Sequence, residues 1–284
     1  MKRTLKIGAS FSGKISTGPY ENTSPGFFAE EVFEEEYPNL DSLDYVIRET
    51  QAKLHNICYQ QFKEIEQRLV VERIQRERDE FRFYTTEDGQ QYPSVTSILN
   101  FDADFFVPLV HLSQYSAQGT ITHARVAEYV KSGLWVDAKD IGEIWAEIVI
   151  CKGGDLKLST DIGDFPALLK KFPITDMKNC GVVYNHEKRY AGTPDFEGIP
   201  DFAGAEKVPT LFDVKRTADK VKNLCQLAMY AKCEGMEHIE QVCIIVLNDK
   251  TEQGYSKPIV SKEIGNYFNI ALGKREAFKK RYGC

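Results

Sequence analysis

Hydrophobic positions recur at helical spacing between Asp41 and Glu80, a stretch that contains no glycine or proline. The pattern predicts one long amphipathic helix or two packed helices with a charged outer face. Residues 1–38 instead show short apolar runs separated by glycine and proline, which predicts short strands and turns. A structural or oligomerisation role accounts best for the helical stretch, while the role of residues 1–80 as a whole stays open. The alternative is DNA contact by three arginines of the outer face, Arg73, Arg76 and Arg78.

The composition shifts near Phe81, which predicts an N-terminal extension over residues 1–80 and a second domain over residues 81–284. The second domain opens with two alternating segments around Asp88 and Gly89, the pattern of a hairpin turn. Ser94 or Thr96 is then expected to cap a short helix. Residues 108–133 have a helical pattern that closes at a terminal glycine.

The second half of the chain alternates between strand and helix patterns. A strand–turn–strand segment is followed by an apolar strand, a helix that closes at Gly235, a second apolar strand and a closing helix. The ranges are 181–200, 210–216, 218–235, 241–249 and 261–283. This order predicts an α/β fold built on a mixed sheet.

Composition limits the classes of function. The 284 residues are 42% hydrophobic, as in ordinary globular domains, and no apolar run approaches the length of a membrane span. The N-terminal residues lack the apolar stretch of a secretory signal, and the seven cysteines are scattered, which favours reduced thiols in a cytoplasmic setting. The net charge of −6 argues mildly against nucleic acid, but five of the last eleven residues are Lys or Arg.

Two aspartates and a lysine form the candidate site. In the strand that contains "LFDVK", side chains two apart share one face, so Asp213 and Lys215 lie side by side while Val214 turns into the core. Asp195, in "AGTPDFEG", comes from the preceding strand region and converges with Asp213 if the two strands pair. Converging carboxylates repel unless a cation joins them, and oxygen ligands suit Mg²⁺ or Mn²⁺. The Val214 carbonyl is a further candidate ligand, and Lys215 can position water or stabilise charge on a phosphate.

The D-x-K spacing is weak evidence by itself, because it occurs four times in this chain. Only the pair at Asp213 and Lys215 lies in an apolar run with a Gly-Thr-Pro-Asp sequence upstream. Another motif, "GASFSGKI" at residues 8–15, fits a phosphate-binding loop, but Ile15 replaces the required Ser or Thr and turns follow instead of a helix. ATP binding is therefore not expected.

Two further segments flank the candidate site in sequence. Gln226 and Tyr230, in "QLAMYA", are four residues apart and share one helical face after the D-x-K strand. They can form hydrogen bonds near the site and contact a substrate. His123, in "GTITHARVAEYV", is expected early in a helix and by itself is more often a structural residue than a ligand.

The segments "GTITH", "YAGTPD", "FDVK" and "QLAMYA", in this order, resemble the PD-(D/E)xK nuclease superfamily. The likeness is nearest to its RecB-type and phage-exonuclease branch, and "YPSVTSIL" is similar to the lead-in of exonucleases of that branch. The match covers roughly residues 92–250. It implies a restriction-endonuclease-like core, with His123, Asp195, Asp213 and the Val214 carbonyl as ligands of Mg²⁺ or Mn²⁺ and with Asp195, Asp213 and Lys215 as the catalytic group.

The chain also departs from that pattern. Many members carry a further glutamate before the "YAGT" strand, where this chain has "DMKNCGVV" and only Asp176 as a poor substitute. Some members hold an iron–sulfur cluster, but Cys225, Cys233 and Cys243 are too widely spaced for one, so no cluster is expected. Residues 1–80 lie outside the resemblance.

The resemblance implies a metal-dependent DNA nuclease, most simply an exonuclease acting in recombination, repair or replication. A structure-selective endonuclease and a DNA-binding or assembly subunit without catalysis are the alternatives. The implied partners are DNA, a recombination or single-strand-binding protein, and further copies of the chain, with no membrane. The implied location is the cytoplasm of a bacterium or of a phage-infected host cell.

Overall fold

The computed structural model describes residues 3–12, 15–16, 22–35, 40–102, 109–141, 163–247 and 251–284. The chain forms two compact units, Met1–Glu80 and Phe81–Cys284, which divide where the composition of the sequence changes. Within the described residues the fold is mixed α/β, with six α-helices and a mixed five-stranded sheet as the largest sheet.

The N-terminal unit is a long β-hairpin with one helix. Its elements are β1 (Arg3–Ser12), β2 (Ile15–Ser16), β3 (Asn22–Thr23), β4 (Gly26–Glu35) and α1 (Leu40–Asp79). β1 and β4 pair antiparallel over all ten residues of each strand, and β2 pairs with β3. The expectation of short strands was therefore wrong for β1 and β4. Glycine and proline indicate where turns occur, but they do not determine how long the strands between the turns are.

Helix α1 is a single helix of 40 residues, the first of the two forms that its pattern allowed. Its buried side chains Leu54, Cys58 and Phe62 recur at helical spacing. Phe11 of β1 meets Phe62 edge-on, with ring centroids 5.1 Å apart. A two-stranded hairpin is marginally stable alone, so this packing against a helix holds the unit together. The side chains of Arg73 and Arg76 lie outside the described part.

The second unit begins with a hairpin and two helices. They are β5 (Phe83–Thr85), β6 (Gln91–Pro93), α2 (Val95–Asn100) and α3 (Leu109–Ser132). The predicted turn is confirmed, since Gly89 has a φ of +80° between the paired strands. Ser94, not Thr96, caps α2 by accepting a hydrogen bond from Ser97 N at 3.0 Å. Gly133 ends α3 with a φ of +73° and donates its N–H to Tyr129 O, as the pattern predicted.

The remaining elements build the main sheet and its cover. They are α4 (Phe165–Lys171), β7 (Ile174–Asn179), β8 (Val183–Asn185), β9 (Tyr190–Gly192), β10 (Phe196–Pro200), β11 (Thr210–Lys215), α5 (Lys220–Tyr230), β12 (Gln241–Val246), β13 (Ile259–Ser261) and α6 (Ile264–Tyr282). The strand order in the sheet is β13-β12-β11-β10-β7. β11 and β12 are parallel and are connected through α5, whereas every other neighbouring pair is antiparallel.

Two elements differ from the sequence prediction. β7 was not anticipated, because only Ile174 among its six residues is buried and the strand lacks an apolar alternation. α5 ends at Tyr230 and not at Gly235. The chain leaves the helix at Ala231 and continues in turns, in which Gly235 has a φ of +82° and Glu234 N donates to Tyr184 O.

Aromatic side chains fill one face of the sheet. Phe196 of β10 and Phe212 of β11 are cross-strand partners whose rings stack with centroids 4.8 Å apart. Phe165 of α4 meets Phe196 edge-on at 5.9 Å, and Val126 of α3 belongs to the same buried cluster. Stacked and edge-on pairs of this kind stabilise beyond simple burial of area. This core fixes the ends of β10 and β11, where the candidate site lies.

Candidate active site

Asp195 is held by two hydrogen bonds at the start of β10. Its Oδ1 lies 2.6 Å from His123 Nδ1 of α3, and its Oδ2 accepts a hydrogen bond from the backbone N–H of Val214 at 2.6 Å. Phe196 and Phe212 are paired next to this point. The Asp195 side chain therefore takes the place of a β10 backbone partner for β11 and ties a helix, a loop and a strand together.

Asp213 and Lys215 share one face of β11, as the period of the strand predicted. Lys215 Nζ lies 2.7 Å from Asp213 Oδ2, and the side chains are 21% and 3% exposed. Apart from this ion pair with Lys215, the buried Asp213 Oδ2 has no hydrogen-bond partner among the described residues. Val214 turns its side chain into the core, as predicted.

The four charged groups at the site act on one another. Burial raises the pKa of Asp213, and the nearby charge of Asp195 adds to this, while Lys215 and His123 oppose it. Burial by itself would lower the pKa of Lys215, but attraction to Asp213 and Asp195 outweighs it and the pKa lies above its ordinary value. The pKa of His123 is likewise raised, because Asp195 outweighs the effect of burial. His123, Asp195, Asp213 and Lys215 thus form one electrostatic unit.

Gln226 and Tyr230 interact as their i, i+4 spacing predicted, since Gln226 Nε2 donates to Tyr230 Oη at 2.9 Å. Tyr230 is buried, and burial together with the charge of Asp213 raises the pKa of its hydroxyl. Its ring also lies directly over Gly192. A Cβ built at Gly192 would come within 2.2 Å of Tyr230 Cε1. The glycine of "YAGTPD" is therefore required by close packing against α5.

Two contacts near the site were not foreseen from the sequence. Tyr84 Oη of β5 lies 3.2 Å from Thr193 Oγ1, two residues before Asp195. Arg216, next to Lys215, donates from Nη1 to Gln118 Oε1 of α3. Both join residues about a hundred positions apart. The only sequence signal was the aromatic segment "FRFYT" before the Asp88-Gly89 turn. It predicted a hairpin, but it did not indicate that the hairpin lies beside the candidate site.

Asp176 does not replace the further glutamate that many members of the resembled superfamily carry before the "YAGT" strand. Its side chain is exposed on β7, and its φ is +52°. Glu197 is the next acidic side chain after Asp195 on β10, and its carboxylate lies 2.7 Å from His238 Nε2. Sequence reasoning passed over Glu197. The three cysteines considered for a cluster are free, buried thiols, Cys225, Cys233 and Cys243.

The donor types at the site suit a hard divalent cation. Carboxylates of Asp195 and Asp213 are oxygen ligands, His123 contributes an imidazole, and Asp213 Oδ2 is a buried oxygen paired with Lys215. In this arrangement, however, Asp195 uses both oxygens in hydrogen bonds and Asp213 is paired with Lys215. No group of three or more His, Cys, Asp or Glu side chains within the described ranges is arranged to hold a metal ion.

No protein-family model matches the chain, and no curated protein sequence is significantly similar to it. Among the helices that the structure describes, none combines the length and the hydropathy that crossing a membrane requires.

Proposed function

We propose that this chain is a metal-dependent deoxyribonuclease with a PD-(D/E)xK core, and within that class an exonuclease. The observation that carries the proposal is the pairing of Asp213 with Lys215 in the middle of a buried sheet, next to the Asp195–His123 pair. Two neighbouring carboxylates in a buried position repel each other, which is unfavourable unless positive charge lies beside them. Titratable groups whose pKa is shifted by burial and by charged neighbours concentrate at functional sites.

The topology supports the proposal because it delivers these groups from separate elements. β10 and β11 bring Asp195 and Asp213 to adjacent strand ends, and α3 supplies His123 from the side. α5 follows β11 directly and places Tyr230 over the same region. A site assembled from several rigid elements keeps its groups in a fixed geometry, which favours catalysis.

Each side chain has a defined part in phosphodiester hydrolysis. His123, Asp195, Asp213 and the Val214 carbonyl would hold Mg²⁺ or Mn²⁺, which when bound supplies an activated water and Lewis-acid polarisation of the phosphate. Lys215 provides an ammonium group that orients water and stabilises charge that develops on the phosphate oxygens. Gln226 and Tyr230 orient the substrate through their hydrogen-bonded pair. Val214 N and His123 keep the Asp195 carboxylate in place.

The test is degradation of linear DNA, labelled at the 5′ or the 3′ end, with Mn²⁺, Mg²⁺ or EDTA. We expect metal-dependent loss of the label, and loss of at least 10²-fold in rate for Lys215→Ala, in the range of deleting a group that stabilises charge in a transition state. Lys178→Ala is the matched control, because Asp176 and Lys178 have the same spacing on the exposed strand β7. Equal activity of the two variants, or no cleavage with either metal, would refute the nuclease assignment.

Covalently closed circular DNA separates the two enzymatic forms of the proposal. An exonuclease leaves closed circles intact, whereas cleavage of circles supports a structure-selective endonuclease.

One observation favours a second function, a DNA-binding or assembly subunit that does not cleave. The site is satisfied without a cation, since both Asp195 oxygens accept hydrogen bonds and Asp213 is ion-paired. Metal-independent retention of DNA in a gel shift, with no cleavage in Mn²⁺, is the result that would support this function.

A further inference from the structure

A cluster of aromatic rings lies on the two small hairpins of the second unit. Tyr184 and His186 of β8 and the adjoining turn stack nearly in parallel, with ring centroids 5.8 Å apart and an interplanar angle of 13°. On the other hairpin Tyr84 is the cross-strand partner of Tyr92, and Tyr92 meets both stacked rings edge-on. Tyr184 Oη also donates to Thr85 O at 3.3 Å, so the two hairpins are joined.

Two arginines accompany these rings. Arg82 Cζ lies 4.6 Å from the Tyr84 ring centroid, and Arg189 Cζ lies 6.0 Å from that of Tyr92. Both arginine side chains are exposed, His186 is 49% exposed, and Tyr84 and Tyr184 are half-buried. Together these residues form the stacking surface, which consists of Arg82, Tyr84, Tyr184, His186 and Arg189.

The stacking surface adjoins the candidate active site. Tyr84 Oη lies 3.2 Å from Thr193 Oγ1, and Thr193 is two residues before Asp195. Ser94, directly after β6, forms a parallel bridge with Ala191 of β9, which leads into the same loop. A ligand that lies on Tyr84 therefore continues toward the residues proposed to cleave it.

The surface is supported from beneath by buried groups. Tyr92 is 4% exposed, and its hydroxyl lies 3.1 Å from His186 Nδ1. Arg275 of α6 is 2% exposed and donates to the carbonyl oxygens of Lys188 and Arg189 at 3.0 and 3.1 Å. These bonds fix the turn that carries Arg189. The rings are thus held in place before a ligand arrives, which reduces the entropy lost on binding.

Aromatic faces and guanidinium planes bind unpaired nucleobases by stacking, and the arginine charges pair with phosphates. In the interior of a duplex each base face is already covered by its neighbours, so away from the duplex ends the same surface reaches only base edges and backbone. The net charge of −6 also disfavours binding that depends on phosphate contacts alone. We propose that the stacking surface binds single-stranded DNA and leads an unpaired strand, and not a duplex, into the active site. The proposal rests on the proposed function for the identity of the ligand as DNA.

The test measures binding in EDTA, where metal-dependent cleavage cannot occur, using a short single-stranded oligonucleotide and a blunt duplex of matched sequence annealed from two separate strands. The oligonucleotide contains 2-aminopurine, whose fluorescence is quenched when it stacks. For the wild-type protein we expect tighter binding to the single strand than to the duplex, with quenching on binding. Binding that is equal or tighter for the duplex would overturn the proposal without any variant.

Substitutions at Tyr84 distinguish stacking from a structural role. Tyr84→Phe keeps the ring and loses the contact to Thr193, so its affinity for the single strand should stay within about twofold of the wild type. Tyr84→Leu removes the ring and should weaken single-strand binding about 5- to 150-fold, the range for one stacked base, while duplex binding changes little. Tyr267→Leu, at a half-buried tyrosine on α6, is the matched control. Equal losses in Phe and Leu variants, or equal losses on single strand and duplex, would contradict stacking.

Arg82→Gln provides a second variant at an exposed position, for use if Tyr84→Leu fails to fold by circular dichroism. It should weaken single-strand binding and reduce its salt dependence, because it removes one phosphate or stacking contact. Unchanged affinity and salt dependence would count against the stacking surface. The proposed function fails separately, through absence of cleavage with Mn²⁺, so a protein that binds single strands through Tyr84 but cleaves nothing would refute only the nuclease assignment.

Discussion

Asp195 Oδ2 accepts a hydrogen bond from Val214 N at 2.6 Å, while Asp195 Oδ1 lies 2.6 Å from His123 Nδ1. One carboxylate therefore links α3 to the strand that carries the D-x-K motif. An asparagine has one acceptor and one donor end, so when its oxygen accepts from Val214 N–H, its NH₂ group faces His123 Nδ1 and cannot accept a hydrogen bond there, as the carboxylate can. We expect Asp195→Asn to lower the free energy of unfolding by about 1–3 kcal/mol, the penalty for an unsatisfied buried group.

Urea unfolding measures this change, and cleavage of linear DNA measures the accompanying loss of activity. Asp201→Asn is the control, since Asp201 forms an exposed ion pair with Lys207 that should contribute at most about 1 kcal/mol. A loss of activity with unchanged stability would mean that Asp195 does not hold the two elements together.

Gly192 and Tyr230 are packed too closely for a side chain at position 192. Gly192→Ala would place a Cβ within 2.2 Å of Tyr230 Cε1, and we expect it to destabilise the protein by about 1–3 kcal/mol through overpacking. Tyr230→Leu in the same chain should recover part of that loss, which a double-mutant cycle from urea midpoints detects. Gly265→Ala is the control, because nothing lies within 4 Å of a Cβ there. Strict additivity of the two changes would contradict the contact.

Arg275 is a buried guanidinium that donates to three backbone carbonyls, those of Lys188, Arg189 and Cys284. Arg275→Met keeps most of the side-chain volume but leaves these oxygens without a donor, so we expect a loss of about 2–4 kcal/mol in unfolding free energy. Limited proteolysis should show faster cleavage in the turn that contains Lys188 and Arg189. Lys280→Met, at an exposed position of α6, should change stability by no more than about 0.5 kcal/mol.

Cys233 is a buried thiol whose Sγ lies 3.5 Å from Met229 O, and burial raises its pKa to about 12. At pH 8 almost none of it is thiolate, the reactive form, so native protein should alkylate slowly at Cys233 and quickly after unfolding in urea. Mass spectrometry of the alkylated peptide measures both rates. Because folding raises the pKa of this thiol, its contribution to the free energy of unfolding is fully present below the pKa of the unfolded chain. That contribution declines as the pH rises toward 12. Equal rates in native and unfolded protein would show that Cys233 is not buried.

Local patterns predicted the parts of the fold that depend on neighbours in sequence. The period of β11 placed Asp213 and Lys215 on one face and Val214 in the core, and the i, i+4 spacing placed Gln226 beside Tyr230. These relationships follow from backbone geometry alone, so a single sequence contains them.

Contacts between segments that are far apart in the sequence could not be predicted from local patterns. The contact of Tyr84 with Thr193 joins residues 109 positions apart, and neither residue type indicates its partner. β7 escaped notice because one buried residue in six gives no alternation. The family resemblance implied His123 and Asp195 as ligands of one metal ion, but their direct contact was not expected, since an isolated histidine has no signature of its own.

The parallel pairing of β11 with β12 also has a consequence for synthesis on the ribosome. Thr210 pairs with Gln241, so β11 emerges well before the strand that completes one of its edges. Until β12 emerges, the apolar segment "TLFDVK" has an open edge that can pair with other chains. We expect nascent chains released before Gln241 to aggregate, and the Asp213 carboxylate to become buried only after β12 has left the exit tunnel.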